Sequence, residues 1–169
     1  MSNEGRSGGL GLLMPESVWD YPRPPRVERS ARRVRISFGG GVIADSTRAL
    51  RVLETSHPPT YYIPYPDIVA GSLEWAPART TFCEWKGTAT YFDVIGADGR
   101  RAANAAWTYL EPLPGFEELS EYVAFYAGPM DECTVGGEVV RPQEGGFYGG
   151  WVTSEVSGPF KGAPGTDSW

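Results

Sequence analysis

The sequence predicts a mainly β, single-domain protein, and three observations carry that expectation. Residues 33–38 alternate Val34, Ile36 and Phe38 with Arg33, Arg35 and Ser37, the period of two that marks a strand with one wet face. The pairs Asp98-Gly99 and Gly136-Gly137 stand between strand-like runs, where such residues close tight hairpins. Pro58 and Pro59 rule out a long helix after residues 49–54, whose apolar spacing fits either period. At 169 residues the chain suits one domain with a substantial core.

Taken in order, residues 1–14 are rich in Gly and Ser and read as a flexible tail. Trp19-Asp20-Tyr21-Pro22-Arg23-Pro24-Pro25 reads as an extended arm that docks on its own domain or on a second subunit. Strands are expected over 33–38, 42–45 and 49–54, with Gly39-Gly40-Gly41 as a bend between the first two rather than a phosphate loop. No helix opening on Lys-Ser/Thr follows those glycines. Residues 66–70 suit a brief helical turn. Further strands are expected over 80–85, 88–94, 103–110, 122–127, 130–134 and 139–141, with one or two helical turns at 116–121. Along 103–110, alternation puts Ala103, Ala105, Trp107 and Tyr109 on one face. The β domain is thus placed at 15–141.

Residues 142–169 form a Gly-punctuated extension. Its Phe147, Tyr148, Trp151, Phe160 and Trp169 would each bury roughly 150–250 Å² when docked, so the extension is expected to be ordered, on the β domain or on a partner subunit.

Composition narrows the function classes. A net charge of −6 argues against general nucleic-acid binding, which works by neutralising phosphates. No apolar run approaches the ~20 residues of a membrane span, and no signal-peptide pattern opens the chain, so a cytoplasmic location is expected. Two cysteines and one histidine give no disulfide framework and no zinc pattern, and no cofactor or metal is expected. The early arginines, Arg23 to Arg35, read as a solvated face and an exposed edge strand.

The densest chemistry lies in Thr81-Phe82-Cys83-Glu84-Trp85-Lys86-Gly87, which holds one of two cysteines and one of two lysines. A lysine beside aromatic rings is expected to have a lowered pKa and to act as base or nucleophile, with Cys83 as a second nucleophile. The structural reading packs Cys83 as a small hydrophobe and lets Lys86 reach water past its stem. On a regular strand, residues 83 and 86 point to opposite faces, so a Cys–Lys pair needs a turn or bulge between them. His57, between Ser56 and Pro58, reads as a turn cap rather than a general base, and Glu54 reads as a hydrogen-bonded structural carboxylate. The run Tyr61-Tyr62-Ile63-Pro64-Tyr65-Pro66-Asp67 mixes rings with hydroxyls, as a pocket wall does. Both lysines also sit in one local pattern, Trp85-Lys86-Gly87-Thr88 and Phe160-Lys161-Gly162-Ala163.

Together, Phe82-Cys83-Glu84-Trp85-Lys86-Gly87, Ala106-Trp107-Thr108-Tyr109, Val123-Ala124-Phe125-Tyr126 and Tyr62-Ile63-Pro64 resemble the family called domain of unknown function 427. Gly146-Phe147-Tyr148-Gly149-Gly150-Trp151 and Gly158-Pro159-Phe160-Lys161-Gly162 resemble the C-terminal extension of its longer bacterial members. The resemblance covers roughly residues 16–169 and implies a compact antiparallel β domain that is barrel-like or tent-like. The family carries a nucleotidyltransferase label in places. That chemistry needs paired metal-holding carboxylates, and the sequence has no Asp-x-Asp or Asp-x-Glu.

Two functions follow as expectations. In the first, a pocket gathers Tyr62, Tyr65, Asp67, Tyr91, Trp107 and Tyr109 around a small ligand, anionic ligands included, with Lys86 and Cys83 as the catalytic candidates of a possible enzyme. In the second, the arginine-rich arm and the aromatic tail make a non-catalytic interaction or homo-oligomerisation module.

Overall fold

A computed structural model describes residues 14–169, so the expected tail at 1–14 lies outside the described residues except for Met14. The strands run in the order β1 (Glu16–Ser17), β2 (Arg26–Ser30), β3 (Val34–Phe38), β4 (Gly41–Ser46), β5 (Ala49–Leu53), β6 (Thr60–Pro64), β7 (Leu73–Cys83) and β8 (Gly87–Ile95). They continue as β9 (Arg101–Thr108), β10 (Tyr122–Phe125), β11 (Glu132–Val135), β12 (Glu138–Val139), β13 (Arg141–Pro142), β14 (Trp151–Val152) and β15 (Val156–Ser157). The helical residues form single 3-10 turns at Val18–Asp20, Tyr65–Asp67 and Glu117–Glu121. Among the described residues, no helix is long and apolar enough to cross a membrane.

Seven strands form one antiparallel sheet in the order β2-β5-β6-β10-β9-β8-β7, and four form a second in the order β12-β11-β3-β4. Side chains alternate across the large sheet. Tyr61, Ile63, Phe92, Val94, Val123 and Phe125 face the small sheet and meet Val34, Ile36, Ile43 and Cys133 in the main core. Their neighbours Tyr62, Tyr91 and Ala124 face the other way, into a second cluster with Leu50, Val52, Trp107 and Tyr109. One sheet therefore sustains two apolar layers, and the second layer holds the site described below.

The large sheet curls. Val52 on β5 and Thr81 on β7 line one cavity, although five inter-strand steps separate these strands. Laid flat, that separation would be roughly 24 Å. The sheet nonetheless stays open, because edge strands β2 and β7 do not pair with each other. The architecture is an open, curled antiparallel sheet backed by a smaller one, not a closed barrel.

Two irregularities depart from the expected alternation. In β9 the register against β8 shifts between Ala102 and Ala106, around Asn104 at φ 53°, whose N–H donates to Asp93 Oδ1 at 2.9 Å. This bulge sends Ala105 into the main core and leaves Ala103 exposed, while Trp107 and Tyr109 stay in the second layer. In β7 the strand begins at Leu73, seven residues before the expected start at 80, with a register shift between Ala76 and Thr80. Pro77 sits in that shift. It cannot donate to a ladder and is tolerated because β7 is an edge strand.

The hairpin chemistry is visible in the turns. Gly136 and Gly137 take φ 59° and 87° between β11 and β12, as a two-residue turn of positive φ requires. Gly39, at φ 65°, lies so close to Gly96 Cα that neither position has room for a side chain.

The arm at 19–25 folds back on the same chain. Trp19 Nε1–H donates to the Pro159 carbonyl at 2.8 Å, and Val18, Tyr21, Leu53 and Val156 form a third small cluster. The extension packs there too. Trp151 is 1% exposed, its Nε1–H donates to the Phe125 carbonyl at 3.0 Å, and Lys161 N–H donates to the Ser56 carbonyl at 2.8 Å.

Candidate functional site

Between β7 and β8 the chain turns through residues 84–86, with Cys83 paired to Gly87. Gly87 takes φ 108°, a conformation that disfavours side chains, so the glycine after the lysine is what lets the turn close. This three-residue turn supplies the distortion that a Cys83–Lys86 neighbourhood needs. The Lys86 side chain folds inward rather than out to water and is 9% exposed. Its Nζ lies 5.8 Å from the centroid of the Tyr109 ring.

Lys86 enters a cavity of about 250 Å³ on the second layer of the large sheet. Cys83, Tyr62, Tyr91, Trp107 and Tyr109 line the same cavity. The Trp107 ring lies 4.6 Å from the Tyr126 ring and 6.2 Å from that of Tyr91. Thr81 Oγ1 and Tyr91 OH are 3.0 Å apart. Tyr65 and Asp67 lie elsewhere. Tyr65 packs against the main core beside Phe92, and Asp67 is bound by Arg48 at 2.9 Å through both oxygens and by Ser46 Oγ at 2.7 Å. The Arg48 guanidinium holds the Asp67 carboxyl below the usual carboxylate range, so Asp67 is a structural ion-pair partner.

Burial sets the protonation of this site. It opposes the Lys86 ammonium, but the acidic groups around it, Tyr62, Cys83 and Glu54, oppose loss of its proton, and the pKa is raised. The expectation of a lowered pKa is thereby corrected: the rings were legible, the polar groups among them were not. Lys86 is a cation at neutral pH. Burial pushes the Tyr62 and Tyr109 hydroxyls up, so both are neutral donors. Among the described residues, Lys86 makes no salt bridge, whereas the arginines carry the surface ion pairs, as in Arg51–Glu28 and Arg101–Asp93.

The extension builds the rest of the site. Gln143, Phe147, Tyr148 and Lys161 line the cavity beside Glu54 and His57. Gly149 lies against Trp107 so closely that a Cβ there would overlap the indole. The Gln143 amide has one orientation: its Oε1 accepts from Gly150 N–H at 3.1 Å, and its Nε2 donates to the Lys161 carbonyl at 2.7 Å. The remaining Nε2 proton goes to His57 Nδ1 at 3.1 Å, which leaves the hydrogen of the neutral imidazole on Nε2, 3.8 Å from Glu54 Oε2. Burial, followed by the Lys161, Lys86 and Arg23 cations, lowers the His57 pKa to about 4. His57 is therefore a neutral donor whose ring is fixed by the extension, while its backbone N–H closes a turn onto the Glu54 carbonyl at 3.0 Å.

No sequence pattern joined Gln143 or Glu54 to Lys86. For Lys161 a signal existed in the shared aromatic-Lys-Gly pattern. Among the described residues, no three His, Cys, Asp or Glu side chains gather to hold a metal ion.

A family model described as a domain of unknown function (DUF427) matches residues 26–136. The chain belongs to this family. The DUF427 match takes in Tyr62, Cys83, Lys86, Tyr91, Trp107 and Tyr109 and ends before Gln143, so the family region supplies the sheet-borne wall and the extension supplies the remainder. No curated protein matches the chain. The short label of the family, NTP_transf_9, names nucleotidyl transfer, and the carboxylates that line this cavity are Glu54 and Glu84.

Proposed function

We propose that the cavity binds a small anionic molecule bearing a planar ring, with Lys86 as its counter-ion and Tyr91, Trp107 and Tyr109 as its walls. One observation carries this reading: the Lys86 amino group is buried among aromatic rings and, among the described residues, no carboxylate lies at salt-bridge distance from it. A buried cation is costly until a counter-charge meets it, and a ligand supplies one. The hydroxyls of Tyr62 and Tyr109 and the Nε2–H of His57 are donors suited to carboxylate or phosphate oxygens. The volume lies just below the roughly 300 Å³ at which drug-sized pockets begin, which fits a single substituted ring. Cys83, half-buried beside the ammonium, is the nucleophile of the site, with Lys86 as the charge that orients an electrophilic substrate towards it.

Two measurements test the reading. Benzoate and phenyl phosphate are expected to raise the melting temperature of the protein, and a Lys86→Gln variant that folds normally is expected to lose that effect. Equal stabilisation of the two proteins would overturn the proposal.

Iodoacetamide is expected to label Cys83 and spare Cys133, whose thiol burial pushes up to about 12. Saturating benzoate is expected to slow the Cys83 reaction. Labelling of Cys83 at one rate with and without the anions would remove the thiol from the site.

A module that docks on other proteins is the weaker reading. Trp151 and the Trp19 indole make their hydrogen bonds within the chain, although Trp19 and Phe147 stay partly exposed.

A further inference from the structure

Both lysines of the chain reach the same cavity, one from the turn after β7 and one from the extension. Each stands near an aromatic ring, Lys86 buried and Lys161 half-buried. Lys86 Nζ lies 5.8 Å from the Tyr109 centroid and Lys161 Nζ lies 5.7 Å from that of Tyr148. Among the described residues, neither makes a salt bridge.

The Lys161 backbone is held on both sides. Its N–H donates to Ser56 and its carbonyl accepts from Gln143. The next residue, Gly162, donates to Thr166 Oγ1 at 2.8 Å and sits against the Glu144 carbonyl with no room for a Cβ. A segment this constrained presents its lysine to the cavity by construction.

The carboxylates do not cancel this pair. Glu54 Oε2 lies 3.9 Å from Arg23 Nε, so an arginine outside the cavity shares its charge, and Glu84 is exposed at the rim. His57 lines the same cavity as both lysines, and after burial their charges are the leading influences that disfavour its imidazolium.

We infer that this is a two-cation site for an aromatic dianion, a small aromatic dicarboxylate or an aryl phosphate, with Lys86 meeting one negative charge and Lys161 the second. The inference rests on the anion-binding reading above and names the ligand class of that site. Lys86 belongs to the part of the cavity that the family match covers, whereas Lys161 lies beyond it. The extension therefore determines which anions the site prefers.

Isothermal titration of benzoate, phthalate and phenyl phosphate into the wild type, Lys86→Gln, Lys161→Gln and Lys161→Arg tests this. The dianions are expected to bind the wild type about tenfold more tightly than benzoate, the worth of one partly desolvated charge contact. Lys161→Gln is expected to remove that tenfold advantage, leave benzoate within about twofold, and regain the dianions as Lys161→Arg. If Lys161→Gln weakens all three ligands alike, or none, the two-cation inference falls while the Lys86 anion site stands. If no anion binds the wild type, the anion-binding reading itself falls.

Discussion

Trp151→Ala is expected to cost about 3–5 kcal/mol of folding free energy, the range for removing a large buried aromatic. The indole is 1% exposed, packs against the Tyr61 ring at 5.4 Å, and belongs to the core between the two sheets. Its Nε1–H also satisfies the Phe125 carbonyl at the end of β10, and truncation leaves that buried acceptor without its partner. Urea denaturation followed by circular dichroism is the measurement. The midpoint should fall sharply with the slope little changed, and Trp151→Phe should recover most of the loss by refilling the space. A loss below about 1 kcal/mol would mean that the extension is not anchored at this point. Because Gly149 and Gly150 precede Trp151 and touch Trp107 and Gln143, loosening the anchor is also expected to weaken anion binding.

Folding stability is expected to fall by about 3 kcal/mol as pH drops from 6.5 to 4, through His57 alone. The folded chain holds this imidazole near 4, first by burial and then by the Lys161, Lys86 and Arg23 charges, against an ordinary value of 6.5. Between those values the unfolded chain binds a proton that the folded chain refuses. The contribution is therefore complete above pH 6.5 and lost on the way down to pH 4. Carboxylates held low by arginines, such as Asp67 and Asp45, lose their contributions below that window. Urea midpoints at pH 7.0, 5.5 and 4.5 for the wild type and His57→Gln separate the two sources, since the variant should be flat across the window. A slope that persists in His57→Gln would assign the effect to other groups.

Local patterns located much of this fold. Alternation found Val34–Phe38, and paired glycines located the turn between β11 and β12. The aromatic residues of the extension indicated that it would pack, and the heptapeptide around Cys83 and Lys86 pointed to the side of the sheet where the cavity lies. What the sequence left hidden depends on pairing between distant segments. Nothing near Pro77 announces that β7 continues through it, because only an edge position makes that tolerable. The bulge at Asn104 depends on Asp93 from the neighbouring strand. Asp67 and Tyr65 are close in sequence to Tyr62, but the sheet pleat and the turn after β6 carry them to Arg48 and to the main core. The neutral state of His57 depends on burial and then on the charges of Lys161 and Lys86, residues far from it in sequence.

The boundary of the family match, at residue 136, falls between the strands that bear one wall and the loop that closes the other. Without such a loop the same strands would present a trough open to solvent, from which a bound molecule departs unhindered. Under the proposed anion binding, the segment would act on how long a guest stays, a property that can change while every strand remains in place.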